Sequence, residues 1–94
     1  SENSRLFRIF DALFSAHGSE IYLKPVSDYV PIGQQVNFYS LISSAARRGE
    51  TAIGYRVKAF ELDEKNSFGV VLNPKKSQLI EFSEGDSIIV LAES

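Results

Sequence analysis

Ninety-four residues suffice for one domain with a thin core, burying roughly 60–65% of the surface its unfolded chain exposes. A hydrophobic share of 44%, with seven Phe and four Tyr, excludes a disordered chain, and a formal charge of -2 excludes a strongly basic nucleic-acid binder. The lack of cysteine excludes disulfides, zinc ribbons and thiol catalysis, and no run approaches the roughly 20 apolar residues of a membrane-spanning helix.

Taken in order, Asn3 and Ser4 are N-cap candidates for a first helix. Leu6, Ile9, Phe10, Leu13 and His17 step at helical spacing, Phe7 and Phe14 widen the stripe, and Gly18 stops the helix. Arg5, Arg8, Asp11 and Ser15 hold the other side. The apolar arc, about 160°, exceeds the roughly 100° that one contact face requires. It fits either a well-buried helix or one that touches two bodies, its own sheet and a partner subunit or further domain. Leu6, Phe7, Phe10 and Phe14 are the candidate dimer contacts.

Glu20–Lys24 reads as a short strand, with Ile21 and Leu23 on one face and Tyr22 on the other; Pro25 ends its pairing or puts it at an edge. An extended path over Val26–Val30 and a turn at Pro31-Ile32-Gly33 lead to the most apolar helical segment. There Val36, Phe38, Tyr39, Leu41, Ile42, Ala45 and Ala46 share one arc, and Ser40, Ser43, Ser44, Arg47 and Arg48 take the other. Asn37 can cap this helix, two arginines suit its negative end, and Gly49 offers a left-handed stop. A strand over Glu50–Phe60 follows, with Thr51, Ile53, Tyr55 and Val57 alternating. Asn66-Ser67 supplies hairpin chemistry before a strand at Phe68–Leu72. A turn with Pro74 at its first central position, a short strand at Leu79–Phe82, a Ser83–Asp86 turn and an apolar run over Ser87–Ala92 complete the chain. The expected fold is α+β: about five mainly antiparallel strands, one helix packed on them and one helix before them.

The stretches GSEIYLKP (Gly18–Pro25), FYSLISSAARRGETAIGYR (Phe38–Arg56), LNP (Leu72–Pro74) and FSEGDSIIVLAES (Phe82–Ser94) resemble the C-terminal lobe of domains that regulate potassium conductance, the RCK or TrkA-C lobe. Within that group they are most similar to the Castor/Pollux ion channels and their bacterial relatives. The LFRIFDALFSAHG segment resembles the helix that precedes this lobe. The resemblance implies a division into an N-terminal helix, residues 1–18, and a regulatory lobe, residues 19–94. It implies a cytoplasmic domain of a membrane-associated protein that forms homodimers, senses a small-molecule or ion effector and relays it to a transmembrane pore. A Rossmann-type lobe would precede this region. Its Gly-rich phosphate motif is absent here, so dinucleotide binding by that route is not expected. With no methionine, the chain is expected to be a piece of a longer protein.

Arg47, Arg48 and Arg56 are candidate anion contacts, because guanidinium forks match carboxylate and phosphate oxygens. Lys75 and Lys76 can join a basic rim around a small ligand. The plainer alternative is that Arg47 and Arg48 only cap the helix, Arg56 is a solvated strand residue and the lysines are surface charge. Glu61, Asp63, Glu64 and Asn66 place oxygen ligands in one loop but lack the alternation and glycine of a calcium loop. His17 has no second ligand nearby, and Ser43, Ser44 and Ser87 have no His–Asp pattern around them. No catalytic residue, metal or cofactor is therefore expected, and no nucleic-acid partner. The rival reading is a stand-alone small-molecule or anion-binding module of another transporter or regulator.

Overall fold

The run IIVLA lies at the centre of the structure, a computed structural model that describes residues 2–16 and 18–93, and of these not the side chains of residues 2–4, 6, 7, 10 and 14. The elements are α1 (Glu2–Ser15), β1 (Ser19–Pro25), β2 (Gln35–Val36), α2 (Phe38–Ala46), β3 (Thr51–Arg56), β4 (Val70–Leu72), β5 (Ile80–Glu81) and β6 (Ser87–Glu93). The last strand occupies the middle of a four-stranded sheet of order β1-β6-β3-β4, every pair antiparallel. Ile88, Ile89 and Val90 are completely buried, which is why this strand carries no polar alternation. Ile88 and Val90 join the main core with Leu41, Ala45, Phe38, Tyr55 and Phe82. Ile89, equally buried, lies outside that cluster, and α1 contacts β1 and the Glu64–Gly69 segment.

The second helix forms as its spacing predicts, and Asn37 caps it, its Oδ1 accepting from Ser40 N at 3.3 Å. Its buried arc is rotated from the expected one. Ser44 is buried while Tyr39 and Ala46 face solvent. At about 100° per residue Ser44 lies only about 60° from Leu41, so packing on the strands recruits the small serine and leaves out the bulky tyrosine. Val36, expected in the helix, instead lies in β2, whose two residues pair with β5 in a separate ribbon. The expected five-strand sheet is therefore a four-strand sheet plus this ribbon.

Other boundaries move for identifiable reasons. The first helix starts at Glu2, ahead of the expected caps Asn3 and Ser4. Val26–Asp28 is a 3-10 turn, with Tyr29 N and Val30 N both donating to Val26 O at 2.9 and 3.0 Å, in place of an extended path. The strand expected over Glu50–Phe60 stops at Arg56, and Lys58–Phe60 turns instead. Within β3 the register shifts between Ala52 and Gly54, breaking the expected alternation at Ile53. Gly54 is required there: a Cβ would meet Val71 O at 2.2 Å. Phe68, expected in a strand, has φ of 55° beside Ser67 at 54°. Arg56 holds this strained loop, Nε donating to Phe68 O at 2.9 Å and Nη2 to Glu61 O at 3.2 Å. After β4 the turn runs over Lys75–Gln78, with Gln78 N donating to Lys75 O at 3.2 Å, so buried Pro74 precedes its central positions. The Ser83–Asp86 turn forms as expected, with Gly85 at φ of 94°.

Candidate functional site

The turn from α2 into β3 gathers the densest polar network among the described residues. Arg47 is the helix C-cap and Gly49 takes φ of 72°, which swings Glu50 back over the end of the sheet. Glu50 N donates to Ala45 O at 3.0 Å, fixing the approach. The Glu50 side chain is 7% exposed and forms an ion pair with Lys24 of β1. Its other oxygen accepts from Tyr29 OH at 2.6 Å. Arg48 stacks over the Tyr29 ring, 4.3 Å from its centroid, and donates from Nη2 to Asp28 O at 2.8 Å. One carboxylate thereby ties β1, the Val26–Tyr29 turn and the helix–strand junction together.

The electrostatics follow from this packing. Burial alone pushes the Glu50 carboxyl up, but hydrogen bonds from Lys24 and Tyr29 and the charges of Lys24 and Arg48 outweigh it and hold the pKa below the ordinary 4.5. The Tyr29 phenol is pushed up to about 12 by burial first and then by its hydrogen bond to Glu50 and that carboxylate's charge, with Arg48 opposing. Beside the network lies an open depression of about 740 Å³ whose walls include Lys24, Arg48, Glu50, Thr51, Tyr22 and Glu93. The amino group of Lys24 also sits 5.5 Å from the Tyr22 ring centroid. Arg48 is exposed and keeps donors beyond its bond to Asp28, so a small polar ligand with an anionic group has contacts available here.

Of the residues expected to bind a ligand, only Arg48 lines this depression. Arg47 is exposed and borders a separate hollow with Tyr29, Tyr39 and Ser43. Arg56 lies at the far end of β3, roughly 17 Å along the strand from Thr51, and its guanidinium is spent on loop carbonyls. Lys76 sits by the opposite end of α2, its carbonyl accepting from Phe38 N at 3.2 Å, and Lys75 opens the adjacent turn. The five cations are thus not brought to one place. Lys24 and Glu50, which hold the network together with Tyr29, were not singled out by the sequence. The available signal was Lys24 itself, a charge at the same strand parity as core-facing Tyr22. In the oxygen-rich loop Asp63 accepts from Lys65 N at 3.0 Å and Asn66 Nδ2 at 2.6 Å. The expected dimer contacts Leu6, Phe7, Phe10 and Phe14 have side chains outside the described residues, and His17 lies outside them altogether.

Fold and site together define a small antiparallel α+β domain with a partly buried ion pair beside its sheet, and with no helix among the described residues long and apolar enough to cross a membrane. No family model matches the chain. Its whole length matches the Arabidopsis thaliana protein named probable ion channel POLLUX at 32% identity over 95 residues, which is 11% of that protein. It is 29% identical to Medicago truncatula ion channel DMI1 over 93 residues, covering 98% of the chain and 10% of that protein, and 27% identical to Lotus japonicus ion channel CASTOR over 94 residues, covering 99% and 10%. The chain is therefore similar over its whole length to one segment of the CASTOR/POLLUX/DMI1 ion channels, and it spans about a tenth of their length.

Proposed function

We propose that this chain is a cytoplasmic regulatory domain of a potassium or other cation channel or transport protein, which binds an effector, forms dimers and biases a pore without catalysing a reaction. The supporting observation is the end-to-end match to one segment of proteins named as ion channels, joined to a fold that carries no long apolar helix among its described residues. In this reading residues 1–18 form a connecting helix and residues 19–94 the sensing lobe, as in RCK or TrkA-C lobes. Regulation is a population shift: an effector that binds one arrangement better moves the equilibrium by its differential affinity. Arg48 and Lys24, at the rim of the depression, are the contacts for an anionic group. The same two residues favour the second reading, a stand-alone anion-binding module of another transporter or regulator.

A thermal-shift screen of the chain against nucleotides, divalent ions and small organic acids tests the sensing. An effector present at 100 times its Kd stabilises by about 2.7 kcal/mol, or roughly 10–20 °C in a domain of this size. Such a shift, lost in Arg48→Ala, is the expected result. No shift with any class, at millimolar concentrations, would remove the sensing role.

A further inference from the structure

One edge of the sheet is β1, with β6 as its neighbour on one side and no described strand on the other. The geometry points to a second copy of this chain pairing antiparallel along that free edge, in one register centred on Tyr22. This rests on the dimer part of the reading above and names the surface it uses.

The backbone determines which groups are available. One step beyond the Pro25↔Ser87 pair, Val26 N donates to Asp86 O at 3.0 Å. Alternation then turns the polar backbone groups of Glu20, Tyr22 and Lys24 toward β6, and those of Ser19, Ile21, Leu23 and Pro25 outward. Pro25, which has no N–H, therefore removes a donor from the last outward position only. Hydrogen-bonded pairing with a second copy must join outward residues to outward residues. The register centred on Tyr22 does so while overlapping all seven residues of β1.

That register is also self-complementary in its side chains, as a two-fold contact requires. It sets Ile21 opposite Leu23 of the second copy and Leu23 opposite its Ile21. Leu23 is 43% exposed in the single chain, so apolar surface is there to cover. On the other face it sets Glu20 opposite Lys24 of the second copy, and the two-fold axis makes this pair twice. Either neighbouring allowed register places Glu20 or Lys24 opposite a tyrosine and the other charge beyond the end of the strand. Charge complementarity thus selects the register centred on Tyr22. The existing contacts leave room for it: Tyr22 OH uses only Oε2 of Glu20, and Lys24 is 35% exposed despite its pair with Glu50.

The test uses the full 94-residue chain, which has no cysteine of its own. In this register the two Tyr22 residues form a pair without mutual hydrogen bonds, with Cα atoms about 4.5 Å apart and so inside the disulfide range of about 4.4–6.8 Å. Under mild oxidation Tyr22→Cys is expected to form a covalent dimer at least about tenfold faster than Leu79→Cys, a control at an exposed position elsewhere. By sedimentation, Glu20→Lys is expected to raise the dimer Kd about tenfold, because it replaces two attractive cross-strand pairs with two repulsive ones. Glu20 is exposed, so this variant tests the register without disturbing the core. A wild-type dimer with Tyr22→Cys no faster than Leu79→Cys, and with Glu20→Lys unchanged in affinity, would overturn the edge pairing while leaving dimerisation standing. A wild-type chain that stays monomeric at millimolar concentration would overturn both.

Discussion

Replacing Glu50 separates the two contributions that its carboxylate makes. Glu50→Ala strands the hydroxyl of Tyr29, which is 7% exposed, and leaving a buried donor unmet costs about 1–3 kcal/mol. It also frees Lys24, whose partial exposure limits the loss from the ion pair to about 1 kcal/mol or less. The sum, about 1–4 kcal/mol, corresponds to a fall in Tm of roughly 4–32 °C for a domain of this length. Glu50→Gln keeps an acceptor for Tyr29 and loses only the charge, for about 1 kcal/mol and roughly 4–8 °C. Thermal denaturation followed by circular dichroism reads both. A Glu50→Ala variant that melts within about 4 °C of wild type, or that matches Glu50→Gln, would refute the view that this carboxylate ties three segments together.

The same network contributes a pH dependence to stability at both ends of the range. The Glu50 pKa is depressed in the folded chain, so its contribution is present above the ordinary 4.5 and is lost as pH falls through the lower folded value; acid titration of Glu50→Gln should show a shallower decline than wild type. The Tyr29 pKa is raised to about 12 from 10, so its contribution is full below pH 10 and is lost as pH climbs toward about 12. A two-unit rise on this buried phenol corresponds to about 2–3 kcal/mol, and Tyr29→Phe should lose that part of the alkaline decline while Tyr55, also raised by burial, retains its own. Leu41→Ala, at a position with no exposure, should cost about 2–5 kcal/mol in urea unfolding; less than about 1 kcal/mol would mean that α2 is not seated on the sheet. Gly54→Ala places a methyl 2.2 Å from Val71 O and should destabilise by about 1–3 kcal/mol or more, with early loss of amide protection in β4 by hydrogen exchange.

The features legible in the sequence were those that a single local pattern determines. Asn37 before an apolar helix, Gly49 after it, the Gly85 turn and the unbroken IIVLA run each carry their own geometry. The features missed depend on contacts far apart in the chain. Val36 has the apolar character of a helix residue, yet Ile80 across the ribbon claims it. Ser44 is polar, yet the packed arc includes it. The bulge at Ile53 depends on which β6 residues face β3, and no alternation within β3 reveals it. The site was missed for the same reason. Arg47, Arg48 and Arg56 attract attention as a cluster of cations in sequence, but β3 carries Arg56 away, and Lys24 reaches Glu50 across 26 positions of chain. Charge identity was readable; which charge meets which carboxylate is decided by the sheet order β1-β6-β3-β4.

The regulatory role is tested most directly by electrical recording from Lotus japonicus CASTOR in lipid bilayers, as the intact channel, with the matching segment of about 94 residues deleted, and with this chain grafted in its place. The predicted result is that the deletion still conducts but with altered gating, and that the graft restores the gating of the intact channel. Unchanged gating after the deletion, or a graft that behaves like the deletion, would contradict it.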